Sequence, residues 1–501
     1  MPRYSGTIDD TTPMTGGRID IPARLRWLLR THRTVAGVSL RQMVAALREA
    51  GLQVSAATLS RVESEGTPSP GVLDGYNAVL GLPSGQLRTA AFMQQRSFSY
   101  APALPPEDLP RDLDRFTAAY DAVTGPAPTA GEWLLFARHH ASEVGFGLPR
   151  CLMGPLLERL VDETPRGVSL ARIVRYEALH TLSRTPYRDV VIDAVHAAVA
   201  DPHHQAVEWA TGMLDGVPAP RLLPWAGELL AAPSRFRVRG AAHLLQSILV
   251  TGRVPLEDWR RLVPAFAVAW EAAQADPDRV ADVAMLFAAL PVEAREDLAY
   301  RIGGCLPDVP RAPVKWDRRL DNAHYGLVTD LARSVVARIG QPQEPLLARL
   351  LFEAFYEPRG VRMSNAAWLV SLSAFAPLVR DACFELARRP GLAPETLTGA
   401  MRVGTLCHDG SRIDTTGLWD FPQHLETAQV LSLAGRSGIP IPGRVLERGL
   451  AGDETARRQT LYALGMSDDP RLREIAADPA RPEAVRRGAE WWLRSGPRIL
   501  A

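Results

Sequence analysis

From residue 111 onward, proline, glycine and aspartate cut the chain at short intervals, and between the cuts apolar residues recur at helical spacing. The uninterrupted windows run to roughly 12–18 residues, and no alternating strand pattern appears between them. Such punctuation leaves helices as the available element, so the expected fold class is all-α. A chain of 501 residues exceeds what one ordinary core organises. The sharpest internal break is APALPPEDLP (101–110), whose four prolines in ten residues forbid a continuous helix and favour extended chain. Residues 1–19 are polar, rich in Gly and Thr, and aperiodic, which predicts a disordered tail. The expected organisation is a tail over 1–19, a small helical domain over 20–100, a Pro-rich linker over 101–110 and a large helical domain over 111–501.

Within 20–100 the elements can be placed individually. IPARLRWLLRTHRTV puts Leu25, Leu28 and Leu29 on one face with arginines opposite, and Gly37 ends that helix. Ser39 can cap the next helix, whose inner stripe is Met43, Val44 and Leu47. Ser55 can cap a third, with Leu59 and Val62 inward, before the turn-rich SEGTPSPG. Val72, Tyr76, Val79 and Leu80 supply a fourth helix, and SGQLRTAAFMQQ a fifth.

The run S-x-x-T-L-S-R-V-E from Ser55 to Glu63, then G-x-x-x-P (66–70) and V-L-G-L-P (79–83), resembles the Cro-like (XRE) helix-turn-helix family. The likeness covers about residues 24–95. It implies that the third helix lies in the major groove of duplex DNA while the preceding helix crosses the backbone. It also implies base contacts from the first residues of that helix and from Arg61, and a pairing of Arg33 with Glu63. Two features differ from the family: the connection LREAGLQVS is longer than its tight turn, and the recognition helix opens on two alanines instead of a polar pair. Residue chemistry agrees with the implied surface. Arg61 can offer a bidentate fork to guanine or a contact to phosphate, and Ala56 and Ala57 can pack on thymine methyls. Ser55, Thr58 and Ser60 bring hydroxyls, and Arg41 and Gln42 stand at a helix start suited to phosphate. The expected nucleic-acid site is therefore Arg41, Gln42, Ser55, Ala56, Ala57, Thr58, Ser60 and Arg61, on double-stranded DNA, with a homodimer meeting a two-fold site.

Charge distribution points the same way. The chain totals +1, but residues 18–100 hold ten arginines against five acids. A basic small domain beside a slightly acidic body suits a polyanionic partner. Lys315 is the only lysine, a bias expected of a high-GC bacterial genome. The four cysteines, Cys151, Cys305, Cys383 and Cys407, show no C-x-x-C spacing and read as reduced thiols. With no apolar run of about 18 residues and no apolar signal core, the expectation is a cytoplasmic protein without a membrane partner.

Four segments of the large domain share a weak pattern: IVRYEALHTL (173–182), RVRGAAHLLQ (237–246), TARRQTLYAL (455–464) and AVRRGAEWWL (484–493). Arg175, Arg239, Arg457 and Arg486 align. These segments resemble HEAT-type helical repeats, in which helix pairs stack and the aligned arginine pairs with an acid of an adjacent repeat. The resemblance implies a domain that binds a peptide, protein or small-molecule effector and sets the oligomeric state.

Catalytic and metal signatures are missing from the sequence. There is no H-E-x-x-H, G-x-S-x-G, Walker A or dinucleotide motif. Adjacent histidines (His139-His140, His203-His204) diverge by about 100° on a helix and make no chelating face. Neither a cofactor nor an enzymatic activity is expected. The polar breaks 356–365 and 407–424, the latter containing Cys407-His408-Asp409, are candidate ligand or partner surfaces. Trp491-Trp492 reads as core packing or a repeat cap. The expected function is a DNA-binding transcriptional regulator. The alternatives are a scaffold that uses its helix-turn-helix for assembly, or a nucleic-acid-processing helical-repeat enzyme.

Overall fold

A computed structural model of the chain describes residues 7–501 apart from 66–67, 99, 102–106, 108, 143–144, 215–216, 218–220, 252–253, 305, 307–316, 319–321, 342, 412–418 and 420–426. The described residues form 26 α-helices and one 3-10 turn, with two isolated bridges and no strand. No single helix among them is long and apolar enough to cross a membrane.

Five helices open the chain: α1 (Ile21–Val35), α2 (Leu40–Glu49), α3 (Ala56–Ser64), α4 (Pro70–Val79) and α5 (Gln86–Arg96). Their starts follow from capping chemistry. The Asp20 carboxylate accepts the Ala23 N–H at 2.9 Å, and Ser39 and Gln42 close a reciprocal capping box at α2. Ser55 accepts the Thr58 N–H at 3.0 Å, and Ser69 precedes Pro70 at the first turn of α4. Leu28, Leu29, Met43, Leu47, Leu59 and Tyr76 are fully buried between them.

This core does not stop at residue 100. It runs without interruption into the helices Ala323–Ala337, Pro345–Tyr356, Gly360–Ser371 and Ala376–Ala387. Trp27 packs on Phe375 with ring centres 6.0 Å apart. The Leu372 carbonyl receives both His32 Nε2 (2.9 Å) and Gln86 Nε2 (2.8 Å). The first five helices are therefore docked on the body and share its core. Of the expected linker, residues 102–106 and 108 lie outside the described residues. Glu107 is pinned by Arg88 (3.1 Å) and Arg138 (3.0 Å).

The expected disordered tail is corrected over residues 7–19; residues 1–6 lie outside the described set. Asp10 is completely buried and Met14 nearly so. The cause is charge: Asp9 pairs with Arg318 at 2.7 Å, and Asp10 with Arg24 at 2.9 Å and Arg349 at 3.1 Å. Low hydrophobicity alone would leave this segment free, but Asp10 neutralises Arg24 and Arg349, which the fold has buried, and Asp9 pairs with the half-buried Arg318.

Along the body, helices pack on the next helix and on the next but one. Ala130–Ala141 packs on Leu170–Ser183, Val207–Gly212 on Arg235–Thr251, and Arg235–Thr251 on Pro277–Ala289. Near the C-terminus, Thr427–Ser437 packs on Glu454–Met466, which packs on Glu483–Ser495. Of the aligned arginines, Arg175 meets Glu163 (3.2 Å) and Arg239 meets Asp282 (3.2 Å). Arg457 instead donates to the Gly452 carbonyl at 2.6 Å, and Arg486 meets no carboxylate among the described residues. The last residues return to the first helices of the body. Val168 N–H donates to the Ile499 carbonyl and Ile499 N–H to the Arg166 carbonyl, each at 2.9 Å.

Trp491 and Trp492 are both 2% exposed. The Trp492 indole lies where a side chain on Gly465 would stand, so the two helices approach through that glycine. Alanine normally stabilises a helix interior relative to glycine by about 1 kcal/mol. Gly465→Ala is expected to do the reverse, lowering stability by about 1–3 kcal/mol through overpacking against a rigid ring. Urea denaturation of the variant checks this, and an unchanged midpoint would refute it.

Candidate nucleic-acid interface

The surface of α2 and α3 divides cleanly. On α3, Leu59 and Glu63 face inward and Val62 is half-buried, while Ala56, Ala57, Thr58, Ser60 and Arg61 are exposed. On α2, Met43, Val44 and Leu47 are buried, and Arg41 and Gln42 are exposed. Each of the expected site residues is thus exposed. Neither helix carries an acid in its first turn, so the free N–H groups and the positive dipole ends are open to an anion.

Individual side chains are committed to different degrees. Gln42 Oε1 accepts the Ser39 N–H at 2.8 Å, which leaves its amide N–H groups for an outside acceptor. The Ser55 and Thr58 hydroxyls bond to each other at 2.8 Å; one hydrogen lies between them and the other remains to donate outward. Arg41 and Arg61 have no partner among the described residues. Exposed Glu49 and Glu65 sit at the C-terminal ends of the two helices, while Arg41 stands in the first turn of α2 and Arg61 in the last turn of α3.

The long α2–α3 connection is ordered. Gly51, at φ +88°, takes the left-handed position that ends α2, and the Leu52 N–H returns to the Leu47 carbonyl at 2.8 Å. Arg48 Nε braces the far side on the Val54 carbonyl at 3.0 Å. Behind α3, Arg33 grips Glu63 with two bonds of 2.6 and 2.5 Å, and the Tyr76 hydroxyl donates to the same carboxylate at 2.7 Å. Arg33 also holds the Val38 carbonyl at 2.9 Å. One carboxylate thereby fixes α1, α3 and α4 together. Burial, then the neighbouring Glu63 charge, raises the Tyr76 pKa, so the phenol stays a donor.

The other candidates are structural. His140 sits edge-on among Phe116, Phe136 and Tyr187, and His204 packs on Trp491 while accepting the Ala206 N–H. His408 is held between the Gly410 N–H (3.0 Å) and Ser437 (3.1 Å). Among the described residues, no cluster of three His, Cys, Asp or Glu could hold a metal. Most of 412–424 lies outside the described residues. The stretch 356–365, expected as a polar break, is helical from Gly360 onward. There buried Glu357 pairs with buried Arg362 and with exposed Arg359.

No protein-family model matches the chain, and no curated protein matches it.

Proposed function

We propose that residues 20–100 are a Cro-like helix-turn-helix, that α3 enters the major groove of duplex DNA, and that the protein is a transcriptional regulator. In this reading the helical body, a HEAT-like array, carries the effector and dimerisation roles. One observation carries the reading: α3 leaves Ala56, Ala57, Ser60 and Arg61 bare on the surface, with Arg61 free of partners among the described residues, while its opposite face is locked by Glu63. The body contact of α1 and α5 supports a rigid platform, so two copies would set the spacing of two recognition helices.

Arg61→Ala is expected to weaken binding by about 1–3 kcal/mol at a guanine-containing site. Arg41→Ala should weaken binding to all sequences alike and reduce the slope of log affinity against log salt by about 1. Genome-wide recovery of DNA bound to the wild type and to the Arg61→Ala variant tests the assignment. Discrete sites with a shared two-fold motif, lost in the variant, support it. Absence of enrichment from folded protein would transfer α3 to the scaffold reading, with Ala56 and Ala57 as a protein contact.

A further inference from the structure

Where α5 meets the body, five helices enclose a cavity of about 270 Å³. Met93 and Arg96 of α5 form one wall, and the helices Leu170–Ser183, Val207–Gly212, Arg235–Thr251 and Gly360–Ser371 form the rest. Trp209 and Trp368 contribute flat apolar surfaces. Trp209 is 40% exposed, which leaves that side open to solvent.

Two buried polar side chains on this wall are unsatisfied. Arg172 is 4% exposed, its guanidinium lies 4.4 Å from the Trp209 ring centre, and its Nη2 has no hydrogen-bond partner among the described residues. The neighbouring charge is another cation: Arg436, whose buried Nη1 also lacks a partner. Burial, and then Arg436, press the Arg172 pKa down to about 9. His180 is 1% exposed, and its Nε2 also has no partner. Other buried guanidiniums are matched by acids: Arg24, Arg349 and Arg362 each touch Glu353, and Arg88 touches Asp74 and Glu107. A desolvated charge without a counterion is among the costliest arrangements a fold can hold. An anion supplied from outside relieves it.

We propose that this cavity binds a small organic anion, an aryl or branched aliphatic carboxylate. Its carboxylate bonds to Arg172 Nη2, His180 Nε2 donates as a neutral imidazole, and the apolar portion lies between Trp209 and Trp368. Apolar walls with a few convergent polar groups are the ordinary form of a small-molecule site, and this volume restricts the occupant to a compact ligand. Because Met93 and Arg96 belong to α5, occupancy bears on the element that docks α1–α4 to the body. That last consequence rests on the proposed DNA-binding function, whereas ligand binding does not.

The test uses the full chain without DNA, so a failure to bind DNA leaves it intact. Benzoate and indole-3-acetate are titrated by calorimetry and thermal shift against their neutral counterparts, benzamide and indole-3-acetamide. The carboxylates are expected to bind at least about tenfold more tightly than the amides, the scale of one charged buried hydrogen bond. Arg172→Met keeps volume and removes the lone charge. It is expected to abolish that preference while leaving the ligand-free Tm equal to the wild type or higher. Trp209→Ala should weaken acid and amide alike. The proposal is overturned if neither carboxylate binds, if acid and amide bind equally, or if the preference survives Arg172→Met. A lower ligand-free Tm in Arg172→Met would also overturn it, because Arg172 would then be matched by a group of this chain.

Discussion

Replacing Glu353 by alanine is expected to remove about 3–5 kcal/mol of stability, the cost of breaking a buried ion network from one side. Glu353 is fully buried and takes Arg24 at 2.7 Å, Arg349 at 3.1 Å and Arg362 at 2.7 Å. Burial alone would raise its pKa, but Arg24, Arg362 and Arg349 together outweigh that and hold it at about 2. Without this carboxylate, Arg24 and Arg349 retain Asp10, Arg362 retains Glu357, and three cations remain desolvated around a gap. The loss should also have an address. Arg24 belongs to α1 and Asp10 to the tail, so hydrogen exchange should quicken in residues 7–35 together. Glu385→Ala provides the comparison, because its partner Arg338 is a surface contact and exposed pairs contribute about 0–1 kcal/mol. Urea midpoints measured at unchanged slope decide the matter; equal losses in the two variants would refute the network's role.

Acid should unfold the protein well above the range in which carboxylates protonate. His32, His140, His204 and His408 have pKa values lowered to about 4, in each case chiefly by burial, and burial lowers His180 further. An unfolded chain takes up these protons near pH 6.5, while the folded one refuses them until about pH 4. Between those values the unfolded state binds more protons, so stability falls as pH falls. Each histidine contributes a loss of up to about 1.4 kcal/mol per pH unit, or about 2 kcal/mol by pH 5. Five together reach roughly 10 kcal/mol, comparable with the whole stability of an ordinary domain. Glu353 adds its own loss only below about pH 4.5, as pH falls toward 2. Urea titrations from pH 7 to 5 measure the slope directly. His32→Gln should reduce it by one proton, and a flat profile over this range would contradict the assignment.

Much of α1–α4 was legible in the sequence because its determinants are local. Ser39 and Ser55 cap within three residues of themselves, and Leu59 and Tyr76 fall on stripes that periodicity reveals. The Arg33–Glu63 pair followed from the family resemblance and spans only 30 positions. What the sequence hid is non-local. The arginines of α1 read as the face opposite its leucines, yet Arg24 is buried on a carboxylate 329 positions away. The tail read as disordered because its order comes from ion pairs with Arg318 and Arg349, not from apolar content. The cavity is assembled from residues between Met93 and Trp368, and Arg172 differs in no local respect from arginines that are fully matched. Only the lack of a paired acid among the described residues marks it, and adjacency in space is not written in composition.

The return of Ile499 to Arg166 and Val168 has a kinetic consequence. An open stack of helices can fray from either end, losing one pair at a time, and its folding is governed by neighbours in sequence. Here the Arg166 guanidinium also reaches the Pro497 carbonyl, 331 positions away. These contacts therefore join segments of the body that are far apart in sequence. Closing so long a loop raises contact order and slows folding. Once closed, however, the clasp removes a free end from which unravelling could begin. Such a body should open late and all at once, which lengthens its lifetime in the folded state.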